Sequence, residues 1–196
     1  YYKVLTHISA PIRLGFTATL PNTEKGKMAL EGLIGTTIAH KKIQEVKSLA
    51  KPIIKLKKLP FSQTVHDLRN WKDVYKMGVV FNSRRHRIVL EDTVELISQG
   101  KTVLILVVEI AHGHNLMEMA QTRFPTLKIK FIWGSTSGED RMAVKKMLES
   151  RQVDAVITNV IWREGVDIPS LGAIVNACGG KSEIMTIQSL GRGLRT

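Results

Sequence analysis

The chain has 196 residues, 43% of them hydrophobic and 23% charged, the make-up of one ordinary globular domain with an attached segment. Its 29 Lys and Arg against 17 Asp and Glu leave a formal net charge of +12, which favours a polyanionic partner, nucleic acid ahead of an anionic membrane surface. The longest uncharged apolar run, 103–108, is only strand-sized, which argues against a membrane partner, and one cysteine, Cys178, excludes an internal disulfide or a cysteine zinc site.

In chain order, residues 13–17 read as a strand ending in a Thr-Ala-Thr-Leu-Pro turn, and 24–33 as a helix closed by Gly35. Residues 47–59 hold five Lys in thirteen positions with Pro52 inside, which suits an extended connector. A basic cluster, 83–87, leads into an expected helix over 88–98. From there apolar strand-length runs alternate with helical spacing: strands at 102–108, 128–133, 154–158 and 173–177, helices at 114–123 and 139–149, and another from Glu183 to the end. Ser137 to Asp140 has the composition of a helix N-terminus, a capping serine followed by acids. Near-continuous apolar strands separated by helices imply an α/β fold, a parallel sheet covered on both faces, with ligands at the carboxyl ends of the strands. Cys178 reads as a small buried residue at a strand end. The chain starts without Met, lacks a signal-peptide pattern and stops inside an expected helix, so it reads as a piece of something longer.

Two late segments carry chemistry. Val156 to Pro169 ends a strand in Thr158-Asn159 and continues into Gly165-Val-Asp167-Ile-Pro169; Gln188-Ser-Leu-Gly-Arg192-Gly-Leu-Arg195 follows about twenty residues on. Arg192 and Arg195, three apart, project from one helix face toward one point, and two adjacent guanidiniums call for an anion such as a nucleotide γ-phosphate. A surface helix with two acid-paired arginines is the alternative. Gly165 permits a tight backbone and Pro169 stiffens the exit, which would set Asp167 at a strand's carboxyl end, where a turn-capping role is its plain alternative. The Thr158 hydroxyl and nearby backbone N–H groups can bind phosphate without reading sequence.

These segments resemble motifs V and VI of the superfamily 2 helicases. Leu14 to Pro21 resembles motif III, and Phe131 to Arg141 the strand, glycine turn and helix start after motif IV. Val108 to His114 and Gly179 to Ser182 are similar to the corresponding segments of UvsW-type phage recombination and repair helicases; Trp162-Arg163-Glu164 is bulkier and more charged than that pattern. The resemblance implies a RecA-like domain. In it Arg192 and Arg195 act in catalysis, and Gly165, Asp167 and Gln188 face ATP. Gly134, Arg141, Thr158 and Asn159 face nucleic acid, with DNA the first choice. Thr17, Ala18 and Thr19 couple two motor domains. The implied layout is a remnant of the first motor domain over 1–21, a connector and domain start over 22–100, and the second motor domain over 101–196. Cytoplasmic location follows, the host's if a phage encodes the chain.

A complete motor needs a phosphate-cradling Gly-x-x-x-x-Gly-Lys-Ser/Thr loop and an acidic magnesium site. Gly180-Lys181-Ser182 imitates the loop, but Val175 stands where its first glycine belongs; Gly100-Lys101-Thr102 fails at Glu95; Glu109-Ile110-Ala111-His112 imitates the acidic motif with Val108 in the wrong place. ATP and Mg2+ are therefore expected to be held mainly by a first motor domain, the chain's expected partner besides nucleic acid, and the fragment alone is expected not to hydrolyse ATP. His112 and His114, with no third ligand nearby, read as polar surface or groove residues and not as a metal site. The alternatives are a different translocase of the superfamily, of restriction or remodeller type, and a nucleic-acid-binding module without a motor.

Overall fold

The computed structural model describes residues 5–17, 20–40, 53–59, 63–159 and 171–179. The chain divides into two compact units, Tyr1–Leu49 and Ala50–Thr196.

In the first unit Thr23 caps α1 (Glu24–Ile34), its hydroxyl accepting from the Gly26 N–H at 3.2 Å. The helix closes at Gly35, whose φ of 108° favours glycine and whose N–H reaches Glu31 O. The strand expected at 13–17 does not form. Ile12, Leu14 and Phe16 alternate as a strand would, yet they stand 76%, 67% and 95% exposed. A period-two pattern becomes a strand only beside another strand's free edge, and the described residues of this unit offer none.

In the second unit residues 53–59 have no regular structure; Lys57 pairs with Asp92, and Lys55 lies 3.9 Å from Glu95. Two short helices, α2 (Gln63–His66) and α3 (Trp71–Tyr75), lead through a π-helical turn (Lys76–Val80) into α4 (Ser83–Ser98). Then come β1 (Thr102–Leu106), α5 (Ile110–Arg123), β2 (Ile129–Ile132), α6 (Gly138–Glu149), β3 (Ala155–Thr158) and β4 (Leu171–Asn176). The strands form one sheet, all neighbours parallel, in the order β2-β3-β1-β4.

Every residue of β1 is buried, which is why the strand is a continuous apolar run rather than an alternating one. Val103 and Ile105 pack with Val89 and Leu90 of α4 and Leu116 and Ala120 of α5. Leu104 and Leu106 pack on the opposite face with Leu148 of α6. Helices thus cover both faces, as expected, and each such side chain contributes roughly 1.5–3 kcal/mol relative to exposure. Cys178 is buried just past β4. The register of β4 on β1 slips by one residue after Thr102, because Gly172 is the extra residue of a bulge whose N–H donates to Thr102 Oγ1 at 3.1 Å. A Cβ on Gly172 would stand 3.1 Å from Lys101 Cα, so the close approach requires glycine.

Candidate nucleic-acid interface

The carboxyl ends of three strands are level: Thr158 of β3 pairs in register with Leu106 on one side and Ile132 on the other. Beyond β2 the chain turns through Trp133–Thr136, where the Thr136 N–H donates to Trp133 O and the Trp133 N–H donates to Thr136 Oγ1, both at 3.0 Å. Ser137 then caps α6 as expected, accepting from the Asp140 N–H at 3.0 Å and donating to the Asp140 carboxylate at 2.8 Å. This cap aims the first helical turn back over the glycine turn. Arg141 Nη2 donates to Gly134 O at 3.0 Å, and Arg141 Nε is buried without a partner.

Gly134 and Arg141, each expected from sequence to face nucleic acid, are in direct contact. Thr158 and Asn159 lie at the end of the adjoining strand. Thr158 is fully buried and its hydroxyl donates to Asn159 O at 3.2 Å; Asn159 Oδ1 is buried and unpartnered. Thr17 is exposed and belongs to the first unit. Ala18, Thr19, Gly165, Asp167, Gln188, Arg192 and Arg195, the helix expected from Glu183, and the Gly180-Lys181-Ser182 tripeptide fall outside the described residues.

The basic cluster at 83–87 is not a prelude to a helix but its first turns. Asn82 caps α4 by accepting from the Arg85 N–H at 3.0 Å, so the helix begins at Ser83, five residues before the start expected from hydrophobic spacing. Helical geometry then splits the cluster. Arg84 and Arg87 are exposed, while Arg85 turns inward and donates to Ala177 O at 3.3 Å. Tyr75 fastens the next residue, its hydroxyl donating to Cys178 O at 2.7 Å.

His112 is not a surface or groove residue. It is fully buried, because α5 begins at Ile110 rather than at His114 and turns this ring toward α4, where it stacks on His86 at 5.1 Å and 29°. Neither ring nitrogen of His112 has a partner. Burial pushes its pKa down to about 3, with the nearby His86 and Arg85 adding to the effect. Burial also lowers His86, partly offset by the Val79 carbonyl that accepts from its Nε2, and lowers Arg85.

Sequence reasoning missed a ring cluster. Phe131 and Trp133 lie 4.8 Å apart by ring centroids, and the exposed His114 meets them edge-on at 5.2 and 5.3 Å. The signal was present: residues two apart on a strand point the same way. Among the described residues no group of three His, Cys, Asp or Glu is placed to hold a metal ion, and no helix is long and apolar enough to cross a membrane.

Residues 86–196, more than half of the chain, match the family described as helicase conserved C-terminal domain. The chain belongs to this family. It is a superfamily 2 helicase C-terminal domain with a RecA-like α/β fold. This helicase domain is 28% identical over 200 residues to "Putative helicase 22" of Sulfolobus islandicus filamentous virus, covering 94% of this chain and 35% of that protein. It is 21% identical over 114 residues to the ATP-dependent DNA helicase uvsW of Enterobacteria phage T4, covering 58% and 22%. The chain thus spans about a third of the first relative and about a fifth of the second. Among solved structures it is similar to the yeast DEAD-box splicing factor Prp28, with 20% identity, TM-score 0.48 and coverage of 55% of this chain and 24% of that one.

Proposed function

We propose that this helicase C-terminal domain is the second motor domain of a DNA translocase or helicase, supplying half of a nucleic-acid groove and half of an ATP cleft. The observation that carries the reading is the Arg141 guanidinium fixed on the Gly134 turn at the carboxyl end of the sheet, on a chain with a net charge of +12. An arginine held in this way meets a phosphate without reorganising, and contacts to phosphate position a strand without reading its sequence. DNA is preferred over RNA because the phage relative is named a DNA helicase.

In this reading residues 1–21 belong to a first motor domain and 22–100 lead into the second, with Thr17, Ala18 and Thr19 coupling the two. Asn159 faces nucleic acid with its amide N–H as the donor to phosphate, and Thr158, expected from sequence to meet phosphate itself, is fully buried with its hydroxyl on Asn159 O and holds the turn behind it. The nucleotide side rests on the sequence: Gly165, Asp167 and Gln188 line the cleft, and Arg192 and Arg195 face the γ-phosphate. Guanidinium, amide and one carboxylate suit phosphate and ribose, but they make no magnesium ligand set, so Mg2+ and the phosphate loop belong to the first motor domain.

Titration of the chain with labelled DNA over a salt series tests the groove. Affinity is expected to fall steeply with salt and to vary little with sequence. Failure to bind, or a flat salt dependence, rejects it.

A further inference from the structure

We infer that the rings of His114, Phe131 and Trp133 form a stacking platform for an unpaired nucleobase beside the phosphate contact of Arg141. The inference rests on the nucleic-acid reading above and adds what the groove does with the base. All three rings touch one another, with Trp133 tilted 35° on Phe131 and His114 at 89° and 62° to the pair. Phe131 in β2 and Trp133 just past it remain half exposed, and His114 in α5 is exposed, beside a sheet whose two central strands, β1 and β3, are wholly buried. Trp133 directly precedes Gly134, whose carbonyl Arg141 grips. Each nucleotide offers a phosphate and a planar base, and here a guanidinium grips the residue that follows the tryptophan of the ring cluster.

The platform is preorganised. The Trp133 backbone is held at both its N–H and its carbonyl by Thr136. Phe131 is seated on the bare backbone of Gly113, where a Cβ would come within 2.2 Å of Phe131 Cζ. Stacking accepts any base, because every base has a π-face, but it needs that face free, which selects a single strand over a duplex. Among the described residues, the pair Trp71 and Tyr75 lacks this setting. Its rings are 6.2 Å apart, and Tyr75 is already engaged with Cys178 O.

The test uses the full chain and three labelled probes: oligothymidine, an abasic strand of the same length, and a duplex. Wild type is expected to bind oligothymidine about ten-fold more tightly than the abasic strand. Trp133→Ala is expected to erase that preference while keeping the abasic affinity, which also shows that the variant is folded. Trp133→Phe should restore the preference. Arg141→Gln should weaken both strands and keep the preference. An unchanged preference in Trp133→Ala, an equal loss on both strands, or tighter binding to the duplex overturns the platform and leaves the groove standing. No binding of wild type to any probe removes the groove and the platform with it.

Discussion

The ring of Phe131 lies directly on the backbone of Gly113, so close that a Cβ there would force the ring to move. The glycine costs the helix about 1 kcal/mol relative to alanine, so its place is set by packing and not by helix propensity. Gly113→Ala should therefore destabilise the domain by roughly 1–3 kcal/mol despite its better helix propensity. Pairing it with Phe131→Ala should recover part of that loss. Urea unfolding of the single and double variants measures the coupling, and simple additivity would count against the contact.

The buried histidines predict acid sensitivity. The folded pKa of His112 is lowered to about 3 from 6.5, so between those values the unfolded chain binds the extra proton. The associated stability is present above the unfolded pKa and is lost as pH falls below it. At about pH 5 the loss from His112 alone is about 2 kcal/mol. His112→Phe removes the titrating ring, along with its two unpartnered nitrogens, and should flatten the pH dependence of the urea midpoint. The same slope in the variant would place the acid sensitivity elsewhere.

Arg141→Ala should weaken DNA binding and reduce the salt slope by about 1, as expected for the loss of one phosphate contact. Its melting temperature should move little, since its bond to Gly134 O lies on an exposed turn. Anisotropy titrations at several salt concentrations decide it. An unchanged slope would return Arg141 to a structural part.

In a protein carrying both motor domains, Arg192→Ala should lower ATP turnover by about 10³ to 10⁵ while leaving DNA affinity nearly intact. Arg195→Ala should act likewise, and the double variant should fall well short of additive. Steady-state ATPase and binding assays separate the two effects. Lost DNA affinity with normal turnover would move this segment from the cleft to the groove.

The central sheet was legible because β1 and β3 are buried on both faces and so read as unbroken apolar runs. Ser137 and Gly35 announced helix ends through their own chemistry. Gly113 hid the start of α5, because a glycine between two histidines resembles a break, and the reason for it lies on another element, in Phe131. The cap at Asn82 hid the start of α4 in the same way, and with it the inward turn of Arg85 and His86. The strand expected at 13–17 has the right period, but pairing is a property of two segments and only one was visible. Gly134 and Arg141 were both singled out because the glycine turn and the helix start are contiguous in sequence, but the bond between them, seven residues apart, was not legible. The ring cluster was half legible: Phe131 and Trp133 share a face of the strand expected over 128–133, although β2 ends at Ile132, while His114 comes from a separate helix.

The Tyr75 hydroxyl and the Cys178 carbonyl are 103 residues apart in sequence, and Arg85 and Ala177 are 92 apart. These bonds, like the β1–β4 pairing, can form only after nearly the whole domain has left the ribosome. At about 5–20 residues per second, the residues around Tyr75 wait roughly 5–20 s for their partners. From its own emergence until β4 follows, roughly 3–13 s later at the same rate, β1, the most apolar strand, has at least one open edge facing the cell. Among the described residues the corner these bonds close is therefore the latest step in synthesis, and weakening Tyr75 or Arg85 should lower soluble yield before it alters the finished fold.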